Sequence, residues 1–347
     1  MEFSIKTFLI VITGCLIFAD AGAQTELKIK NFSEKYYAKV ISRPDSPVYY
    51  INVYEKGTNK RLIRAVAEQI NSDLIDDNNQ LIPNVKELPY GDQSVLIYED
   101  FNFDGIKDFA IMNGFLSCYS GPSFDIYLFT KNTFTYNASF SELSNTNCGM
   151  FQTDTQKKRL LTMTKSGCCL HQYAEYIVKN DVPVVVKTVE EDATGNRVPY
   201  FVEVTTKEMT GCNMKETVKL YMPYVDVDTV LTFKLKKNKK TVCVFSQDSV
   251  LYYALIRQDG SIEFSWPTPY YDDKTETLIA DSMHYNAANK TLGFKNKDVY
   301  YEIYKEGVKV KMPGQELTLE GDPVGVKGDL NGVLLKNYNN ITTSSLH

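Results

Sequence analysis

The chain is poor in the residues that most hydrolases and metalloenzymes rely on. It has one tryptophan and three histidines, His171, His284 and His347, in 347 residues. So few imidazoles make a His-based hydrolase improbable, and no Cys-x-x-Cys spacing points to zinc. Gly-x-Ser-x-Gly, His-Glu-x-x-His and phosphate-loop patterns are all missing. The paired acids Glu190-Glu191 and Asp272-Asp273 read as solvated turns rather than acid–base pairs. The expectation is a protein that is not an enzyme. An excess of positive charge is missing too: the net charge is −5, which argues against nucleic acid as a partner. The basic run at 234–240 is short and reads as blunting a strand edge. No long segment has helical period, and past the N-terminus none is apolar enough to span a bilayer.

The N-terminus itself has Lys6, an apolar run from Phe8 to Phe18, and the small residues Ala21-Gly22-Ala23 before Gln24. That order reads as a secretory signal peptide over 1–23, and it places the protein in the periplasm or outside the cell. Six cysteines remain after cleavage, and an oxidising compartment favours their pairing. Fifteen pairings are open to six cysteines. Cys168 and Cys169, placed in a strand, point to opposite faces, so each is expected to bond elsewhere. The expected links are Cys118 with Cys148 and one near Cys212.

The stretch DFNFDGIKD carries oxygen side chains at its first, third, fifth and ninth positions: Asp100, Asn102, Asp104 and Asp108. Gly105 stands sixth, where a loop wrapping a cation turns sharply, and Ile106 seventh, where a backbone carbonyl suffices. Hard Ca²⁺ takes six to eight oxygens, and this order is the first three quarters of a calcium loop. The twelfth position is Ile111 rather than the usual Glu. The flanks SVLIYED and FAIMNG are short and apolar, so the loop is expected to join two strands and to hold structural Ca²⁺. A metal-free Asx-rich turn is the plainer alternative.

Short runs rich in Val, Ile, Tyr and Phe recur about every ten residues, divided by Gly, Asn, Asp and Ser. Residues 62–70 are ambiguous, with Leu62, Val66 and Ile70 at helical spacing, but the turn at Lys56-Gly57 favours the return limb of a hairpin. The predicted fold is all-β: an N-terminal antiparallel meander, sandwich or propeller-like, over 24–195 with the calcium loop, then a smaller β-barrel-like domain over 196–325. The joint is placed at DATGN, and 326–347 is expected to be a C-terminal tail, polar and frayed from Asn337 to His347.

Two segments resemble known proteins. DFNFDGIKDFAIMNG, SFDIYLF, FSEL and KRLLTMTKSG together resemble secreted bacterial lysozyme-inhibitor-like proteins, which serve as immunity partners of cell-wall-degrading effectors. The resemblance implies an all-β fold and calcium in the Asp-rich loop. Residues 240–267, followed by LGFKNKDVYYEIYKEG and GVKVKMPG, are similar to small periplasmic β-barrel domains of the lysozyme-inhibitor type. The carriers there are Cys243, Tyr252, Tyr253, Glu263, Pro267, Gly307 and Val308; the closing Cys of the last strand is replaced by Glu320-Gly321. The resemblance implies a peptidoglycan hydrolase as protein partner. Tyr119, Ser120 and Gly121 in LSCYSGPS form a compact tip for its cleft, and Lys305 is a second contact that pairs with carboxylates. The competing reading is a calcium-dependent carbohydrate- or surface-binding module of the integrin-repeat type, although only one such loop is present.

Overall fold

A computed structural model describes residues 24–194, 201–223, 227–272, 274 and 277–343; the expected signal peptide lies outside them. Strands account for 57% of the structure and helix for 5%, arranged in several antiparallel sheets, as the spacing of the apolar runs predicts. The chain divides into two compact units, Met1–Ser141 and Glu142–His347.

The first unit contains two sheets. One has the order β4-β3-β2-β1-β5, with β1 Thr25–Ile29, β2 Tyr36–Ser42, β3 Tyr49–Glu55, β4 Arg61–Ala67 and β5 Gln80–Leu81. The other is a meander of β6 Leu96–Glu99, β7 Asp108–Ser117, β8 Gly121–Thr130 and β9 Thr133–Tyr136. Residues 62–70 follow the hairpin reading. Strand β4 buries Ile63, Ala65 and Ala67 with the period of two that a half-buried strand requires, and Val66 stays 46% exposed. Phe109 on β7 is a hub, fully buried, with its ring centroid 4.7 Å from both Tyr98 of β6 and Phe134 of β9 and 5.7 Å from Tyr36 of β2. Such aromatic pairs add about 0.5–1.5 kcal/mol each beyond their buried area. Helix α1, Ala138–Thr146, starts where the Asn137 side chain accepts the Phe140 amide at 3.0 Å, an N-cap bond.

The second unit holds a six-stranded meander over 152–221, then a five-stranded sheet built from four strands over 228–266 and Lys327–Gly328. A six-stranded sheet follows, built from five strands over 283–320 and Ile341–Thr343, which runs parallel with Met283–Asn286. The last two sheets share one core, to which Phe233, Val244, Tyr253 and Trp266 contribute from the first and Leu292, Phe294, Ile303 and Val308 from the second. Strand Val250–Ile256 is buried on both faces. Tyr253 enters that core, while its neighbour Tyr252 faces a second one with Phe201 and Phe245. Burial on both sides explains why its sequence, VLYYALI, runs apolar without alternation.

Several expectations change. No barrel closes. The two larger sheets over 228–343 keep open edges, Ile262–Trp266 in one and Gln315–Glu320 in the other, and bury their apolar faces by packing together instead. The expected joint at 195/196 lies outside the described residues; the strands on either side of it, Val182–Asp192 and Val202–Thr210, pair with each other in one sheet. The described part of the C-terminal segment, through Thr343, is tied down rather than frayed. Asn340, 2% exposed, accepts the Leu251 amide at 2.9 Å and donates to the Leu251 carbonyl at 3.0 Å, replacing the ladder bonds of a neighbouring strand. Cys168 and Cys169 bond to each other. They lie in the turn between Arg159–Ser166 and Leu170–Lys179, where adjacent side chains need not oppose as they do along a strand. Cys118 and Cys148 are both disulfide-bonded. Cys212 is a free, exposed thiol, so the link expected near it is absent, and Cys243 is free and buried.

Candidate functional site

The Asp-rich loop joins β6 to β7, as its apolar flanks predict, and folds onto its own amides. Asp100 accepts the Asp104 amide at 3.2 Å and the Gly105 amide at 2.9 Å. The Asn102 oxygen accepts the Asp104 amide at 3.3 Å, and Asp104 accepts the Ile106 amide at 2.7 Å. Gly105 has φ of +91°, a left-handed conformation that glycine adopts without strain. Phe103, at +64°, shares that hand and sends the chain back toward Asp100.

Asp108 behaves differently from the rest of the loop. It is fully buried, and its two oxygens accept the Phe101 amide and the Phe129 amide, each at 2.9 Å. One carboxylate thereby clamps the loop to β8. Burial pushes its pKa up to about 7, and the nearby charges of Asp104 and Asp100 add to the rise against the pull of the two amides. Among the described residues no three His, Cys, Asp or Glu side chains are grouped so as to hold a metal ion. Asp100 and Asn102 are half-buried and Asp104 is exposed, whereas Asp108 is committed to the fold. Ile111, at the twelfth position, is fully buried in β7 and offers nothing to the loop.

The opposite end of β7 carries the other candidate. Ser117 of β7 pairs with Gly121 of β8, which leaves Cys118, Tyr119 and Ser120 as a three-residue hairpin tip. Tyr119 and Ser120 are both left-handed, at φ of 52° and 55°, and the Gly121 amide bonds the Cys118 carbonyl to close the turn. A Cβ at Gly121 would lie 2.8 Å from the Ser117 hydroxyl and 3.1 Å from the Cys118 carbonyl, so a side chain there fits only if those groups shift. Tyr119 is 61% exposed and Leu116, on its flank, 60%. Ten residues of β7 separate this tip from the Asp-rich loop, about 30 Å of extended chain.

The register of the hairpin slips twice, at Met112/Gly114 and Gly114/Ser117, so its upper half loses regular ladder bonds. Side chains replace them. Asn113 donates to Asp125 at 2.8 Å, the Ser123 hydroxyl donates to the Asn113 oxygen at 2.5 Å, and the Ser123 oxygen accepts the Leu116 amide at 3.1 Å. Burial raises the pKa of Asp125, and the Asn113 hydrogen bond opposes that rise. This brace was not picked out from the sequence: Asn113 and Asp125 are twelve residues apart and meet only because β7 and β8 pair.

Lys305 lies in the second unit, exposed in the two-residue turn where Tyr304 pairs with Gly307. The fold thus groups Tyr119, Ser120 and Gly121 on one tip and Asp100 to Asp108 in one loop, with Lys305 on a separate turn.

No family model and no curated protein matches the chain. Among solved structures it is similar to a Xanthomonas type IV secretion system related protein, at 21% identity and a TM-score of 0.42, over 57% of this chain and 96% of that one. It is also similar to prolyl oligopeptidase B from Galerina marginata, at 8% identity and a TM-score of 0.22. That match takes in 87% of this chain but 42% of the other, so the chain spans less than half the enzyme's length. An uncharacterized protein from Listeria monocytogenes EGD-e gives 10% identity and a TM-score of 0.24, over 93% of this chain and 96% of that one. At these scores none of them assigns an activity.

Proposed function

We propose that this chain is an exported, non-catalytic protein that binds and inhibits a peptidoglycan-degrading enzyme, with the Tyr119–Gly121 tip entering the enzyme's cleft. The observation that carries the reading is the construction of that tip. A hairpin with a disulfide-bonded Cys118, a tight fit at Gly121 and a three-residue polar brace supports the turn that presents an exposed tyrosine. Preorganisation of this kind lowers the entropy lost on binding, and a tyrosine offers both an apolar ring and a hydroxyl to a carboxylate-lined cleft. Disulfides at Cys118, Cys148 and Cys168–Cys169 are compatible with export to an oxidising compartment. Among the described residues no helix is long and apolar enough to cross a membrane.

Calcium in this reading is structural. Asp100, Asn102, Asp104 and the Ile106 carbonyl would hold it, with water completing the shell. Bound there, it would offset the mutual repulsion of two carboxylates and fix the entry to β7, the strand that ends in the tip. The reading is tested by adding the purified protein to a panel of lysozymes in a cell-wall lysis assay. Inhibition of at least one enzyme is expected, together with its loss on deleting 119–121 or on Tyr119→Ala. Undiminished inhibition by both variants would remove the tip from the interface.

A further inference from the structure

The outer face of the first sheet carries an arrangement the inhibitor reading does not use. On β3, Ile51 and Val53 point into the core, so Tyr50 and Asn52 lie on the opposite face. The pairing register sets Lys39 and Arg64 on either side of Asn52, Ile41 and Val66 on either side of Tyr50, and Lys28 beyond Lys39. Two guanidinium groups converge on the Tyr50 ring, Arg64 at 4.5 Å and Arg43 at 5.4 Å from its centroid. Neither has a carboxylate partner among the described residues. The acid in these rows, Glu26, is occupied by Lys39 at 2.9 Å. A chain with a net charge of −5 therefore collects unneutralised positive charge on one sheet face.

Asn52 adds a second, independent sign of a ligand. It is 3% exposed, and its side-chain oxygen is buried without a hydrogen-bond donor. An unsatisfied buried acceptor is a deficit that an incoming donor removes. Arginines held over an aromatic face present planar forks that match carboxylates two bonds at a time. Tyr50, Ile41 and the exposed Val66 provide an apolar floor beside them.

From this juxtaposition we infer that the outer face of the β1–β4 sheet binds an acidic polysaccharide: its carboxylates on Arg43 and Arg64, a sugar hydroxyl on the Asn52 oxygen, and its C–H faces against Tyr50. Charge complementarity selects an anionic partner. Asn52 and the apolar floor favour one that supplies hydroxyl donors and flat C–H surfaces along with its acid groups.

The experiment immobilises polygalacturonate and measures binding of the full chain at low and high salt, with neutral dextran and oligothymidylate in parallel. Binding to polygalacturonate, weakened by salt and absent on dextran, is expected. The double substitution Arg43→Gln/Arg64→Gln, at exposed positions, is expected to weaken it about tenfold or more with an unchanged melting temperature. Asn52→Leu keeps every charge and is expected to weaken it about fivefold with the salt slope unchanged. Deleting 119–121 is expected to leave it intact, which separates this face from the hydrolase reading. Wild-type protein that is not retained overturns the inference. So does equal binding by the arginine variant, and so does oligothymidylate held as tightly as the glycan, which would make the face a nucleic-acid surface.

Discussion

Asp104 and Asp108 stand four residues apart in one loop and answer to different forces. Asp104 is exposed and bonds amides of the loop itself, whereas Asp108 is buried and joins the loop to β8. Asp108→Ala is expected to cost about 2–4 kcal/mol in urea unfolding with or without calcium, because it leaves two buried amides unpaired. Asp104→Ala is expected to change little in calcium-free buffer and to abolish the loss of melting temperature that chelator causes in the wild type. An equal chelator response in that variant and the wild type would end the calcium reading. The spacing of acids in DFNFDGIKD was enough to single out the loop, but it treated its four oxygen side chains alike. Which of them faces inward depends on Phe129, twenty-one residues further on, a partner that no local pattern names.

At the scale of elements, the β7–β8 hairpin rests on its brace as much as on its ladder. Asp125 has a raised folded-state pKa, so the folded state favours its protonated form. Its contribution to stability is full below the unfolded value, near 4, and is lost as pH rises through the folded value. Asn113→Ala removes the bond that opposes this rise. It is expected to move the Asp125 titration, followed by carboxyl NMR, to still higher pH and to weaken inhibition in the lysis assay while the far-ultraviolet circular dichroism is kept. An Asp125 titration unmoved by the substitution would show that the brace does not act as described. The elements themselves were largely legible. The strand centres Phe109–Met112 and Phe124–Phe129 and the return limb β4 follow from β-branched and aromatic runs divided by turn residues, whereas Asn113–Ser123, which reads as a turn-rich connector, mostly extends the two strands and leaves a three-residue tip. Helix α1 was not anticipated within NTFTYNASFSEL, although Asn137 ahead of Ala-Ser-Phe is a helix-start signal.

For the whole molecule, the cysteines give the sharpest check. Four are in disulfides, Cys212 is exposed, and Cys243 lies buried with its thiol pushed up to about 11 by desolvation. An exported, unreduced chain is expected to take up one maleimide when folded and two in denaturant, with peptide mapping placing the first at Cys212. A second rapid reaction in the folded state, or a Cys168 peptide labelled without reductant, would contradict the arrangement. The barrel-like expectation failed at this scale. The strands that suggested it are present, but whether a sheet closes depends on edge pairing and shear, which neighbouring residues do not encode.

Alone, the order of residues determined the all-β class, the position of the Asp-rich loop between two strands, and the hairpin that presents Tyr119. These rest on local chemistry: strand-forming side chains, turn residues and the spacing of oxygens. Tertiary structure decided which carboxylate the fold consumes, which cysteines pair, that the last two sheets stay open, and that two arginines meet over Tyr50. Each of those is a meeting between groups separated in the chain or turned by a loop, and its free energy exists only once the strands have found their partners.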